Sequence, residues 1–135
     1  GEVVVTDFVA ALDTGKSINP MAVEGQLEGG ISMGLGYALM EEIVMKEGHI
    51  QNLSLQDFLI PTTLDVPNIK SILLEAENKY GPYGAKGVGE MSNIPAGPAI
   101  MNAIANACGA RVRSTPADPE KVFWAIREAG CSPEK

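Results

Sequence analysis

The sequence predicts an α+β protein. Three observations carry that expectation. A β-branched, apolar run, Val3-Val4-Val5-Thr6-Asp7-Phe8-Val9, lies near the start of the chain. Val23, Leu27, Ile31, Leu35 and Leu39 recur every four residues, and Ala99, Ile100, Ala103, Ile104 and Ala107 form a second periodic stretch. Branched side chains pack well on a pleated surface, so the first run reads as a buried strand. The other two have the period of a helix face. Strands and helices of this kind pack as layers around one apolar core. A chain of 135 residues suggests one domain, and 45% hydrophobic content is enough to fill its core. With only 5% aromatic residues, that core must rest on Val, Ile, Leu, Met and Ala.

The elements follow in order. After the strand over residues 3–9, Asp13-Thr14-Gly15-Lys16 forms a turn. Asn19-Pro20 starts a helix, with Pro at its first position, where the missing N–H costs nothing. That helix carries Gly25, Gly29, Gly30, Gly34 and Gly36. Each costs about 1 kcal/mol relative to Ala, so close packing on another backbone or on a ligand is expected. Residues 42–46 and 49–52 flank Glu47-Gly48 as a short hairpin. Residues 53–63 form an irregular connection limited by Pro61, and residues 68–77, with Ile69, Ile72, Leu73 and Leu74, a strand. A glycine-rich loop leads to a helix over residues 94–107 that ends near Gly109. Arg111 to Ser114 reads as a short strand. Asp118 caps a last helix that opens on Pro119 and runs to about Ala129, with Phe123 and Trp124 expected to anchor it to the sheet. Met33, Met40 and Met45 are expected in the core.

Composition excludes several function classes. A net charge of −7, with no basic cluster denser than Arg111 and Arg113, argues against nucleic acid. No apolar run approaches the roughly 18 residues that span a membrane. Cys108, Cys131 and the single His49 have no metal-ligand spacing and cannot build a zinc site or an iron–sulfur cluster. Cys108 reads as a buried free thiol, and a reducing, cytoplasmic compartment is the simplest inference. The start Gly1-Glu2-Val3 has no signal-peptide character and no initiator Met, as expected of a chain cut from a longer one.

The stretch that carries most chemistry is Gly84-Ala85-Lys86-Gly87-Val88-Gly89-Glu90. It is bracketed by Gly81-Pro82-Tyr83 before and by Asn93 and Pro95 after, so it lies on a loop. Successive amides in a glycine-rich turn can cradle an anion, and a carboxylate fixed at its end can act as a general base. The same residues also suit a surface turn with a solvated Glu. A phosphate loop fits poorly because the G-K-[ST] ending is absent, and no G-x-G-x-x-G opens a helix after a strand. Lys86 is a candidate for the same cradle, or for holding a carbonyl or carboxylate of the loop. Gln26, near the glycines of the first helix, offers a donor and an acceptor to a ligand edge.

Asp13 with Gly15, Asn19-Pro20, Gln26-Leu27-Glu28-Gly29-Gly30, Gly34-Leu35-Gly36-Tyr37-Ala38-Leu39-Met40-Glu41-Glu42, Asp57-Phe58-Leu59-Ile60-Pro61-Thr62 and the run from Gly84 to Glu90 form an ordered motif set. Over about residues 1–127 this set resembles the C-terminal part of the molybdopterin-binding subunit of the xanthine dehydrogenase and aldehyde oxidase family, the molybdenum hydroxylases. The resemblance implies a mixed sheet with packed helices, with residues 1–135 as a single segment of the larger cofactor-binding domain. It implies Glu90 as the catalytic base, which takes a proton from a hydroxyl or water on the molybdenum. It implies that Gln26, Lys86, Gly87, Val88 and Gly89 line the cofactor, molybdenum-molybdopterin in its plain or cytosine dinucleotide form. Iron–sulfur and FAD groups are then expected only on other modules or subunits. The partners it implies are the rest of the molybdopterin-binding subunit, those modules, and a small heterocycle, such as xanthine, or an aldehyde.

Such a fragment is expected to be inactive alone and to self-associate, with the helix over residues 25–39 and the loop over residues 81–91 facing the rest of the subunit. The rival expectation is a free-standing binding or assembly module that keeps the fold and works without molybdenum.

Overall fold

A computed structural model of the chain describes residues 1–130; Cys131 lies outside them. The order is β1 (Asp7–Asp13), α1 (Pro20–Leu39), β2 (Met45–Lys46), β3 (His49–Ile50), β4 (Asn68–Leu74), a 3₁₀ turn (Pro82–Gly84), α2 (Asn93–Cys108) and α3 (Pro119–Glu128). The α+β class expected from the sequence is the one observed. β1 and β4 pair in parallel, Asp7 opposite Asn68 through Asp13 opposite Leu74. Parallel neighbours need a long crossover, and α1 lies within it. β2 and β3 form a separate antiparallel hairpin. Its two turn residues, Glu47 (φ 51°) and Gly48 (φ 79°), both take the left-handed conformation that matches hairpin twist. Parallel and antiparallel pairings thus occur in two distinct two-stranded sheets.

α1 begins where Asn19 accepts the amide of Ala22 at 3.2 Å and Pro20 takes the first helical position. Its four-residue stripe, Val23, Leu27, Ile31 and Leu35, is buried. The glycines fall on two flanks. Gly30 and Gly34 lie against α2 and the residues before it: a Cβ on Gly30 would collide with Ser92 Oγ, and one on Gly34 with the Cβ of Ala96. The close approach expected of this helix is therefore met within the chain. Gly25 and Gly29 face open space. α2 ends on Gly109, whose φ of 70° closes the helix through the Ala105 carbonyl.

The core joins Leu35 and Ala38 of α1, Ile100 and Ile104 of α2, Ala117, and Val122 of α3, with Phe8 of β1 packed against it. α3 is capped by Asp118, which accepts the amide of Lys121 at 2.8 Å.

Several expectations need correction. The first strand starts at Asp7, not residue 3, and is half-buried, with Val9 62% exposed. Val3, Val5 and Phe8 pack against the core from one side, while Val4 and Val9 lie open on the other, so the run is covered on one face only. Arg111 to Ser114 forms no strand, because no strand of the described residues runs beside it to pair. Phe123 and Trp124 are each about half exposed and stack edge-on against each other, with Arg127 over both rings; Val122 anchors the helix instead. Met33 and Met45 are exposed. Cys108 is half-buried, its thiol directed at the Ile104 carbonyl 3.1 Å away.

Candidate functional site

The glycine loop is fastened at both ends. At its start it is stitched to the end of β1. Lys16 N–H donates to the Gly84 carbonyl and Lys86 N–H to the Thr14 carbonyl, each at 2.9 Å, with Gly15 opposite Ala85 in an antiparallel bridge. Gly15 has a φ of 56°, and a Cβ there would strike the Gly84 carbonyl. The loop reverses direction through Tyr83 (φ 55°) and Gly84 (φ 80°). Gly87 and Gly89 do not take positive φ, and a Cβ on either would meet nothing within 4 Å. Their glycine character leaves the backbone bare on its open side.

At its end the loop seats on α1. Ser92 is buried in the notch left by Gly30, and its hydroxyl donates to the Gln26 carbonyl at 3.3 Å. Asn93 N–H then donates to the Glu90 carbonyl at 3.1 Å and starts α2. Residues 87–91 therefore bridge two fixed points. Among the described residues, the amides of Gly87, Val88 and Gly89 donate to no protein acceptor.

Side chains reinforce the first fixed point. Asp13 takes the Lys86 ammonium on Oδ2 and accepts the amides of Gly15 (3.0 Å) and Ala76 (3.3 Å) on Oδ1. The Lys86 hydrogen bond, followed by that from Gly15, holds the Asp13 carboxyl below its usual range. Glu75 accepts the Ser17 amide at 2.8 Å and Lys16 Nζ at 3.0 Å, which lowers its pKa in the same order of cause. Thr14 and Ser17 are buried, their hydroxyls 2.7 Å apart.

A cleft of about 190 Å³ lies between this junction and α1, with Thr14, Lys16, Gln26, Lys86 and Val88 in its lining. Three of the residues singled out from the sequence, Gln26, Lys86 and Val88, thus meet there. The Gln26 side chain is exposed on the helix surface. Gly87 and Gly89 flank Val88, and Glu90, also exposed, stands two residues beyond it. Lys86 holds a carboxylate, but it is that of Asp13 at the end of β1 and not one within the loop. Sequence reasoning missed Asp13 and Ser92 as organisers of the loop. Asp13 read as a turn residue and as a member of the motif set, with no partner named for it, and the signal available for Ser92 was its place just before a helix. Among the described residues no three His, Cys, Asp or Glu side chains gather where they could hold a metal ion directly.

Comparison with known proteins places the chain in a family. Residues 1–67 match the model of a molybdopterin cofactor-binding domain. The chain is 34% identical over 131 residues to a xanthine dehydrogenase molybdenum-binding subunit of Escherichia coli O157:H7; the match takes in 96% of this chain and 17% of that subunit. Its structure superposes on quinoline 2-oxidoreductase from Pseudomonas putida 86 with a TM-score of 0.87 at 41% identity, over 93% of this chain and 16% of that one. On the aldehyde oxidoreductase from Desulfovibrio desulfuricans the TM-score is 0.85 at 40% identity, over 93% and 14% of the two chains. The chain thus spans about 17% of the length of the curated relative. With the motif order, the fold and these matches in agreement, the chain belongs to the family of molybdopterin-binding subunits of the xanthine dehydrogenase and aldehyde oxidase type.

Proposed function

We propose that residues 1–135 are one segment, the C-terminal part, of the cofactor-binding domain of a molybdenum hydroxylase. In this reading Glu90 is the catalytic base, and Gln26, Lys86, Gly87, Val88 and Gly89 form part of the molybdopterin wall. One observation carries the reading: a loop fixed at both ends presents three unpaired amides, with Val88 in the same cleft as Gln26 and one exposed carboxylate at its far end.

The residues suit the group. A pterin edge carries N–H donors and carbonyl and ring-nitrogen acceptors, and free backbone N–H groups and a Gln side chain supply matching donors and an acceptor. The absence of side chains at Gly87 and Gly89, with open space where a Cβ would stand, leaves room for a ring or phosphate to approach the backbone. The bound cofactor would supply the metal centre that activates an oxygen nucleophile and accepts electrons from the substrate.

This chain's own residues then do three things. The amides of Gly87 to Gly89 and the Gln26 amide orient the pterin edge. Lys86, in the wall of the cleft, also holds the loop in place through its ion pair with Asp13. Glu90, as carboxylate, takes up a proton at one of its oxygens when the nucleophile is activated and returns it to solvent afterwards. A general base of this kind is worth about 10²–10⁴-fold in rate.

The substrate in this reading is an electron-poor N-heterocycle such as a purine, or an aldehyde. The partners are the rest of the molybdopterin-binding subunit and modules carrying iron–sulfur and flavin groups, in the cytoplasm. The isolated segment is inactive. No helix among the described residues is long and apolar enough to cross a membrane.

The test is Glu90→Gln in the complete enzyme. Molybdenum content should stay near that of the parent while kcat falls by at least about 10²-fold. A variant that keeps most of its kcat removes Glu90 from the mechanism.

A further inference from the structure

We infer that Asp13 is a positioning residue for the glycine loop, its carboxylate setting where residues 87–90 stand beside the cleft. The inference rests on the reading of Glu90 and the loop amides given above.

Asp13 is the last residue of β1 and lies opposite Leu74, the last residue of β4. Its two oxygens divide the work. Oδ1 accepts the amide of Gly15 in the turn after β1 and that of Ala76 in the chain leaving β4; Oδ2 takes Lys86 Nζ. One carboxylate therefore ties three segments together. The backbone amides fix its orientation, so pairing with Lys86 does not have to order the acid as well. This distinguishes it from an ordinary surface pair, much of whose Coulomb gain is lost to freezing two free side chains.

Lys86 is held twice, by its ammonium on Asp13 and by its amide on the Thr14 carbonyl. Beyond it the backbone is unpaired until the Glu90 carbonyl and Ser92 engage α2 and α1. Releasing the ammonium leaves the near end held by the Lys86 amide on Thr14, the Lys16 amide on the Gly84 carbonyl and the Asn78 side chain on the Ala85 carbonyl; no side chain then fixes Lys86 itself, and the amides and Glu90 beyond it lose that reference. The charged groups beside this junction, Lys16 and Glu75, are already paired with each other and do not replace either partner.

The test compares the complete molybdenum-binding subunit with Asp13→Asn, Lys86→Met and the double variant. Asparagine keeps an oxygen for the Gly15 and Ala76 amides and removes only the charge that Lys86 meets. Amide hydrogen exchange at Gly84, Ala85 and Lys86, whose amides are hydrogen-bonded, read against α2 as an internal standard, should rise about threefold to fivefold in each single variant, as expected from loss of a half-exposed ion pair. The double variant should rise no further than either single one, because the two side chains act as one unit. In the assembled enzyme kcat should fall with KM close to the parent's, and Asp13→Glu should restore part of it. Unchanged exchange at residues 84–86, or additive effects in the double variant, overturns the inference. So does raised exchange with unchanged kcat. If Asp13→Asn does not fold, Lys86→Met carries the exchange test alone. A Glu90→Gln enzyme with full activity would sink the base assignment and leave the exchange result standing, so the two failures are distinguishable.

Discussion

Ala96 of α2 occupies the space that a side chain on Gly34 of α1 would need. The two helices cross here with backbone and small side chains in contact, next to the notch at Gly30 that receives Ser92. Valine at position 34 would have to push α2 away. Gly34→Val should destabilise the fold by about 1–3 kcal/mol, the usual cost of overpacking. Because Ser92 and Asn93 move with α2, cofactor loading of the complete subunit should fall as well. Chemical denaturation and molybdenum analysis check both parts; a variant with parent-like stability and loading would show that this contact is loose.

Helix α3 depends on Asp118. Its carboxylate accepts the Lys121 amide at 2.8 Å and pairs with Lys121 Nζ at 3.1 Å. Asp118→Ala should cost about 1 kcal/mol, as for loss of a helix N-cap. Asp118→Asn, which keeps the capping oxygen, should cost less. Urea midpoints of the three proteins decide the matter, and equal losses for Ala and Asn would shift the credit from the cap to the ion pair.

Stability should fall on the acid side through the junction of β1, β4 and the glycine loop. The pKa values of Asp13 and Glu75 are both lowered in the fold, by Lys86 and the Gly15 amide in one case and by the Ser17 amide and Lys16 in the other. A lowered folded pKa gives stability that is fully present above the unfolded value, about 3.9 for Asp and 4.3 for Glu, and lost as pH falls through the folded one. Glu41 has the opposite sign: burial raises its pKa, so its ionisation opposes folding at neutral pH. Denaturation midpoints should change little between about pH 7 and 5 and drop below about pH 4. Asp13→Asn should make the drop shallower; an identical acid limb in that variant would remove Asp13 as a source.

The isolated chain should bind no molybdenum, oxidise no heterocycle and self-associate. Parallel sheets are normally covered on both faces. Here Val9, Ile72 and Leu74 leave the outer face of the β1–β4 pair open, at 62%, 38% and 50% exposure, and Leu53 and Leu64 are more exposed still. Apolar patches of this kind on a soluble domain mark interfaces. Sedimentation over a concentration series reads the outcome. A strict monomer that binds no hydrophobic dye would favour a free-standing module over a segment of a larger domain.

Much of the fold was legible locally. The four-residue stripe of α1, the Asn19-Pro20 and Asp118-Pro119 starts, the Glu47-Gly48 hairpin and the Gly109 stop each depend on interactions within a few residues, so local patterns were enough to locate them. The motif order likewise pointed to the family and to Gln26, Lys86 and Glu90. Tertiary structure alone decided which faces were covered. The run over residues 3–9 has the composition of a buried strand, yet burial depends on what packs over it, and Val9 lies open. The glycines of α1 looked equivalent in sequence; only the approach of α2 separates Gly30 and Gly34 from Gly25 and Gly29. Lys86 could have faced a ligand or the protein, and the partner that decides it, Asp13, is distant in the chain. An ion pair between residues so far apart leaves no local trace, because it forms only when β1, β4 and the loop are brought together.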